Sequence, residues 1–63
     1  MTLTISEVNP DYVFDRLQNG IKCIAINFER GEYIDLSGQN VRNVQCLMAN
    51  ENVKFYTVEG SES

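Results

Sequence analysis

Histidine and tryptophan are absent from this chain, proline occurs once and cysteine twice. Without histidine, the commonest general base is missing. The two cysteines, Cys23 and Cys46, form no C-x-x-C pair, so neither a structural zinc site nor any other metal site is expected. The four glycines are isolated, which leaves neither a phosphate-cradling loop nor a dinucleotide fingerprint, and no cofactor is expected. The basic residues Arg16, Lys22, Arg30, Arg42 and Lys54 are scattered rather than striped, which disfavours direct DNA or RNA binding. No apolar run approaches the roughly 20 residues that a membrane span needs. The opening MTLTISEVNP lacks a basic start followed by an apolar run, so no signal peptide is expected. The expected compartment is therefore a reducing cytoplasm in which both thiols stay free, although the count permits a single Cys23–Cys46 bridge.

What is present is a short acidic chain of 63 residues with nine acidic and five basic side chains, net charge −4. That length allows one domain, expected over residues 1–59, with Gly60-Ser61-Glu62-Ser63 as a disordered tail. A domain of this size buries only about 60% of its unfolded surface, so its core is marginal. Small scaffolds are supported by disulfides, metals or self-association. With the first two disfavoured, a homo-oligomer is expected.

The stretch Lys22–Leu36, KCIAINFERGEYIDL, organises the rest. Two runs rich in β-branched and aromatic residues flank a short loop that contains Gly31, the signature of a β-hairpin. A two-residue loop would set Ile26 against Asp35. A three-residue loop, Glu29-Arg30-Gly31, sets Ile26 against Ile34 and Ile24 against Leu36, with Gly31 in the left-handed position. The second register gathers Ile24, Ile26, Phe28, Ile34 and Leu36 on one core face and is the one expected. Cys23, Ala25, Asn27, Tyr33 and Asp35 then share the other face, either half-wet or turned toward a ligand or subunit.

Elsewhere the signals are local. Thr2–Glu7 alternates weakly and reads as an edge strand. Asn9-Pro10-Asp11 starts a helix that runs to about Asn19 and stops at Gly20, with Val8 and Val13 as a hydrophobic staple. Its stripe of Val13, Phe14 and Leu17 is expected to lie on the Ile24/Ile26/Ile34/Leu36 face. Residues 41–48 suit either a helix or a poor strand; a short helix from about Asn43 to Ala49 is favoured. Val53–Glu59 reads as a strand with Val53, Phe55 and Thr57 on one side and Lys54, Tyr56 and Val58 on the other. The expected fold class is α+β: a small, mostly antiparallel sheet, one N-terminal helix packed on one face, and a short second helix before the last strand.

An enzyme is not expected. Glu29 and Glu32 flank a tight turn in solvent, and Cys23 has no histidine to activate it. Binding remains. Tyr33 and Tyr56 can stack on a base or fill a protein hot spot, and Arg30 at the hairpin tip can meet a phosphate. With Asn27 and Asp35 they form the candidate binding set. For each there is a plainer reading: amphipathic sheet residues for the tyrosines, a solvated loop residue for Arg30.

The order of pieces carries a resemblance. A helix leads into Leu17-Gln18-Asn19-Gly20-Ile21-Lys22, then an aromatic, then Gly31-Glu32-Tyr33-Ile34-Asp35-Leu36, then Leu47-Met48-Ala49-Asn50-Glu51 and a closing Val53–Val58 strand. Over residues 13–58 this resembles small phage and prophage proteins related to the second type of Thoeris anti-defence protein. Those chains carry "L-x-x-G-K-K", a basic strand ending in tryptophan, "Y-I-x-L" and "L-L-x-x-D-W". The resemblance implies a symmetric homo-oligomer that captures a signalling nucleotide between subunits in the host cytoplasm. Two departures bear on that implication. Ile24 and Ala25 stand where the family has arginines, and Phe28 stands at the tryptophan position.

Three expectations of function follow. The first is a phage-derived inhibitor, acting as a homo-oligomer, that sequesters a host defence signalling nucleotide. The second is an acidic protein-binding module in which Asp11, Asp15, Glu29, Glu32, Asp35 and Glu51 imitate phosphates and block a host nucleic-acid-binding or defence protein. The third is a structural accessory subunit with no ligand.

Overall fold

The computed structural model describes residues 2–61. Four strands form one sheet: β1 Thr2–Val8, β2 Lys22–Asn27, β3 Glu32–Asp35 and β4 Val53–Ser61. Two helices, α1 Val13–Gln18 and α2 Val41–Met48, connect β1 to β2 and β3 to β4. The order across the sheet is β1-β4-β2-β3 and every neighbouring pair is antiparallel. The protein is therefore α+β, with a helix after the first strand and a second before the last. β1 and β2 run the same way with β4 between them, and β3 and β4 run the same way with β2 between them, a split β-α-β arrangement made twice.

The first helical segment begins as its sequence implies. The Asn9 side chain accepts from the Asp11 amide at 2.9 Å, Pro10 opens a 3-10 turn over Pro10–Tyr12, and α1 continues from Val13. It ends on Gly20, whose φ of +77° lets the Gly20 amide reach Leu17 O (3.1 Å) and the Ile21 amide reach Arg16 O (3.0 Å). Six residues of α-helix have no stability of their own, so packing must hold them. Val13 is fully buried, and Phe14 and Leu17 pack beside it.

α2 starts at Val41, two residues before the expected Asn43, because Asn40 caps it by accepting from the Asn43 amide at 2.8 Å. Residues 41–48 are thus helical, with Val44 buried and Leu47 and Met48 half-buried against the core.

The hairpin register differs from the expected one. Asn27 pairs with Glu32, Ile26 with Tyr33, Ala25 with Ile34 and Ile24 with Asp35, so the loop has four residues, Phe28 to Gly31. Asn27 causes this. Its Oδ1 accepts from the Glu29 amide (3.0 Å) and the Arg30 amide (3.1 Å), and its carbonyl accepts from the Gly31 amide (2.8 Å). The loop is one helical turn capped by an asparagine and closed by Gly31 at φ +67°. Ile26 and Ile34 therefore point to opposite faces, and the expected grouping of Ile24, Ile26, Phe28, Ile34 and Leu36 does not form.

Both helices cover the face that carries Cys23 and Ala25. The core is Val13, Cys23, Ala25, Leu36, Val44, Val53 and Phe55. Ala25 is wholly buried between Ile34 on β3 and Phe55 on β4. Small residues on β2 leave room for two helices to approach, and Phe55 and Leu36 fill the volume beside them. Ile24 and Ile26 thus face away from α1, contrary to expectation, while Val53, Phe55 and Thr57 share one side of β4 as expected, and that side is the inward one. β4 also runs on through Gly60 and Ser61, which lie opposite Leu3 and Thr2 in the stretch expected as a tail; Glu62 and Ser63 lie outside the described residues. No helix of the described residues is long and apolar enough to cross a membrane.

Candidate functional site

The sheet has two sides and the helices cover one. On the other, register places Leu3 and Ile5 of β1, Val58 and Tyr56 of β4, Ile24 and Ile26 of β2, and Tyr33 of β3. Leu3, Ile5 and Tyr33 are 62%, 58% and 74% exposed. Ile24, Ile26, Tyr56 and Val58 are half-buried. Ile5 lies opposite Val58 and Tyr56 opposite Ile24, so the apolar groups meet across three strands. Monomeric proteins rarely leave a contiguous apolar surface of this kind without a use for it.

Four charged residues border this open face: Glu7, Lys22, Asp35 and Lys54. Lys22 Nζ lies 3.6 Å from Asp35 Oδ2, and Lys54 Nζ sits 6.0 Å from the centre of the Phe28 ring. Both ammonium groups thus have a partner at the margin. Asp35 is further held by the Ser37 hydroxyl and amide, which donate to its Oδ1 at 2.6 and 3.0 Å. These bonds, with Lys22 beside them, hold the Asp35 carboxyl below the usual carboxylate range.

The candidate binding residues separate in space. Tyr33, Asp35 and Tyr56 lie on the open face. Asn27 does not: by register it belongs to the helix-covered side with Ala25, and its side chain is spent on the loop amides. Arg30 stands exposed at the loop tip, beyond the end of the strands. Cys23 and Ala25, expected beside Tyr33 and Asp35, are in the core instead. The reading of the residues missed Leu3, Ile5, Ile24, Ile26 and Val58 as members of this surface. The signal for the β1 and β4 members was their alternation, which puts Leu3, Ile5 and Val58 in phase with Tyr56.

Depressions elsewhere are shallow. One of about 450 Å³ lies between β3 and α2, lined by Ile34, Leu47 and Cys46 with the side-chain amides of Gln39, Asn43 and Asn50. Another of about 370 Å³ lies beside Lys22 and Asp35, floored by Leu17 and Leu36. The two thiols are not bridged: Cys23 is buried and Cys46 exposed. Burial pushes the Cys23 thiol up, and the Arg16 guanidinium offsets part of this. Among the described residues no three Cys, Asp or Glu side chains gather as a metal site would require. No protein-family model matches the chain, nor does any curated protein or any solved structure.

Proposed function

We propose that this chain is a small non-enzymatic binding protein that acts as a homo-oligomer, an inhibitor of the phage anti-defence kind that sequesters a host signalling nucleotide at the margin of its open sheet face. The observation that carries the reading is the open face itself: aromatic and aliphatic side chains of four strands share it, and no helix of the described residues lies over it. At its β3 margin the Tyr33 ring stands exposed two residues from Asp35, which meets Lys22, and Tyr33 and Lys54 both lie opposite Ile26. A nucleobase can stack on tyrosine for about 1–3 kcal/mol, and an ammonium group can meet a phosphate. Titration calorimetry with cyclic nucleotides and ADP-ribose derivatives tests this directly. Binding that weakens on Tyr33→Ala supports the reading, and absence of heat with every nucleotide removes it.

A second reading is an acidic module that blocks a host protein. It is favoured by where the charge lies. The open face holds two lysines against two carboxylates, so among the described residues the acidic excess, Asp11, Asp15, Glu29, Glu32, Glu51 and Glu59 against Arg16, Arg30 and Arg42, falls off that face. Such a complex would be recovered from host lysate at low salt and lost at high salt, because exposed charges are screened.

A further inference from the structure

The open face is physically incomplete in a single copy of the chain, and its own chemistry says what completes it. The surface area is 4702 Å², whereas a folded monomer of this mass is expected to show about 4100 Å². The radius of gyration is 11.6 Å against an expectation of about 10.6 Å. A face-to-face contact that hid about 600 Å² on each of two copies would bury about 1200 Å² in all, the lower bound for a specific interface.

Charge selects the occupant. The chain carries −4, yet the face carries Lys22 and Lys54 against Glu7 and Asp35, a sum of zero. An acidic protein meets another copy of itself with least repulsion through a surface that has shed the excess charge, and this one has. Both lysines are drawn to the margin, Lys22 by Asp35 and Lys54 by Phe28, so Ile5, Val58, Tyr56, Ile24 and Ile26 run on without a charge between them. Shape agrees. The face is a twisted four-stranded sheet rather than a groove, and the natural cover for a sheet is another sheet about 10 Å away with strands nearly aligned.

We infer that two copies of this chain pack open face to open face, giving a symmetric sandwich with the helices outside and the sheets inside. The inference rests on the open face being the working surface, and it names a second copy as the partner there. The Tyr33 margin remains at the rim of such a sandwich, where the proposed nucleotide would lie between subunits.

Sedimentation equilibrium of the wild-type protein from micromolar to millimolar concentration tests it. The expected mass is twice 7.2 kDa at the upper end, with dissociation on dilution. Ile5→Glu places a carboxylate in the contact from a position already exposed in the single copy, and should weaken the dimer by about a hundredfold or more. Val41→Glu, on the exposed side of α2, should leave it unchanged. Should Ile5→Glu fail to fold, intermolecular methyl contacts in a mixed labelled and unlabelled wild-type sample decide the matter; they are expected at Ile24, Ile26 and Val58. A single 7.2 kDa species at every concentration overturns the inference, as does a dimer whose contacts map to the helices or to the outer edge of β1. A dimer that binds no nucleotide upholds it while removing the sequestration reading. A monomer that binds one does the reverse.

Discussion

Ile26 and Ile34 lie on neighbouring strands yet point to opposite faces of the sheet, Ile26 beside Tyr33 in the open and Ile34 beside Ala25 under the helices. One residue of register decides this, because side chains alternate along a strand. The consequence is a protein with two apolar sides, one filled by helices and one open. The filled side has little to spare. A domain of 63 residues has a total stability of about 3–9 kcal/mol.

Phe55 is the largest fully buried side chain. Truncation to alanine should cost about 3–5 kcal/mol, most or all of what the fold has. Far-UV circular dichroism of Phe55→Ala at room temperature is expected to show a largely unfolded chain. A cooperative melt close to that of the wild type would contradict the assignment of the core.

Asn40 caps α2 through a 2.8 Å bond from the Asn43 amide. Asn40→Ala should destabilise by about 1 kcal/mol. For so small a domain that lowers the urea midpoint by about 1 M with the slope unchanged.

Gly20 and Gly38 separate space from backbone conformation. Neither has an atom within 4 Å of where a Cβ would sit, but only Gly20 has a positive φ. Gly20→Ala should cost about 1–2 kcal/mol and Gly38→Ala under about 0.5 kcal/mol. Equal losses in paired thermal melts would show that the stop of α1 does not depend on the left-handed residue.

Asp35 sets an acid dependence. Its folded-state value lies below the ordinary one of about 3.9 because Ser37 and Lys22 favour the carboxylate. The stabilisation is therefore present above about pH 4 and is lost as pH falls through the depressed value. Urea midpoints of the wild type and Asp35→Asn should differ at neutral pH and converge as the solution is acidified. A gap that stays constant down to low pH would rule out the linkage.

The two cysteines should react at very different rates. Cys46 is exposed on α2, whereas Cys23 is buried with its thiol pushed up, which starves it of thiolate. A disulfide reagent at pH 8 should titrate one thiol per native chain quickly and the second only in denaturant. Fast reaction of both would mean that β2 opens readily.

Much of this architecture is legible in the sequence. Asn9, Pro10 and Gly20 delimit the first helical segment by chemistry that acts over a few residues, and the alternation of Val53, Phe55 and Thr57 orients β4. The hairpin was not readable in the same way. Asn27 looks like one more strand residue until its side chain is seen holding two loop amides, which lengthens the loop and shifts the register. β2 compounds the difficulty, since Cys23-Ile24-Ala25-Ile26 is apolar on both sides and period alone cannot choose a face. Bulk suggests the isoleucines for the interior, but two helices closing over one sheet need small residues beneath them. The candidate site shared this fate. Tyr33, Asp35 and Tyr56 fell on one surface, while Asn27 and Arg30 followed the loop that the register moved.

The order β1-β4-β2-β3 has an effect on assembly. The last strand made takes an interior place, between the first strand and the central one. Until Val53 and its successors emerge during synthesis, Thr2–Val8 lacks the strand it pairs with and one edge of Lys22–Asn27 stays open. A chain severed in the turn before Val53 would give two pieces, neither with a complete sheet, that regain structure only on meeting.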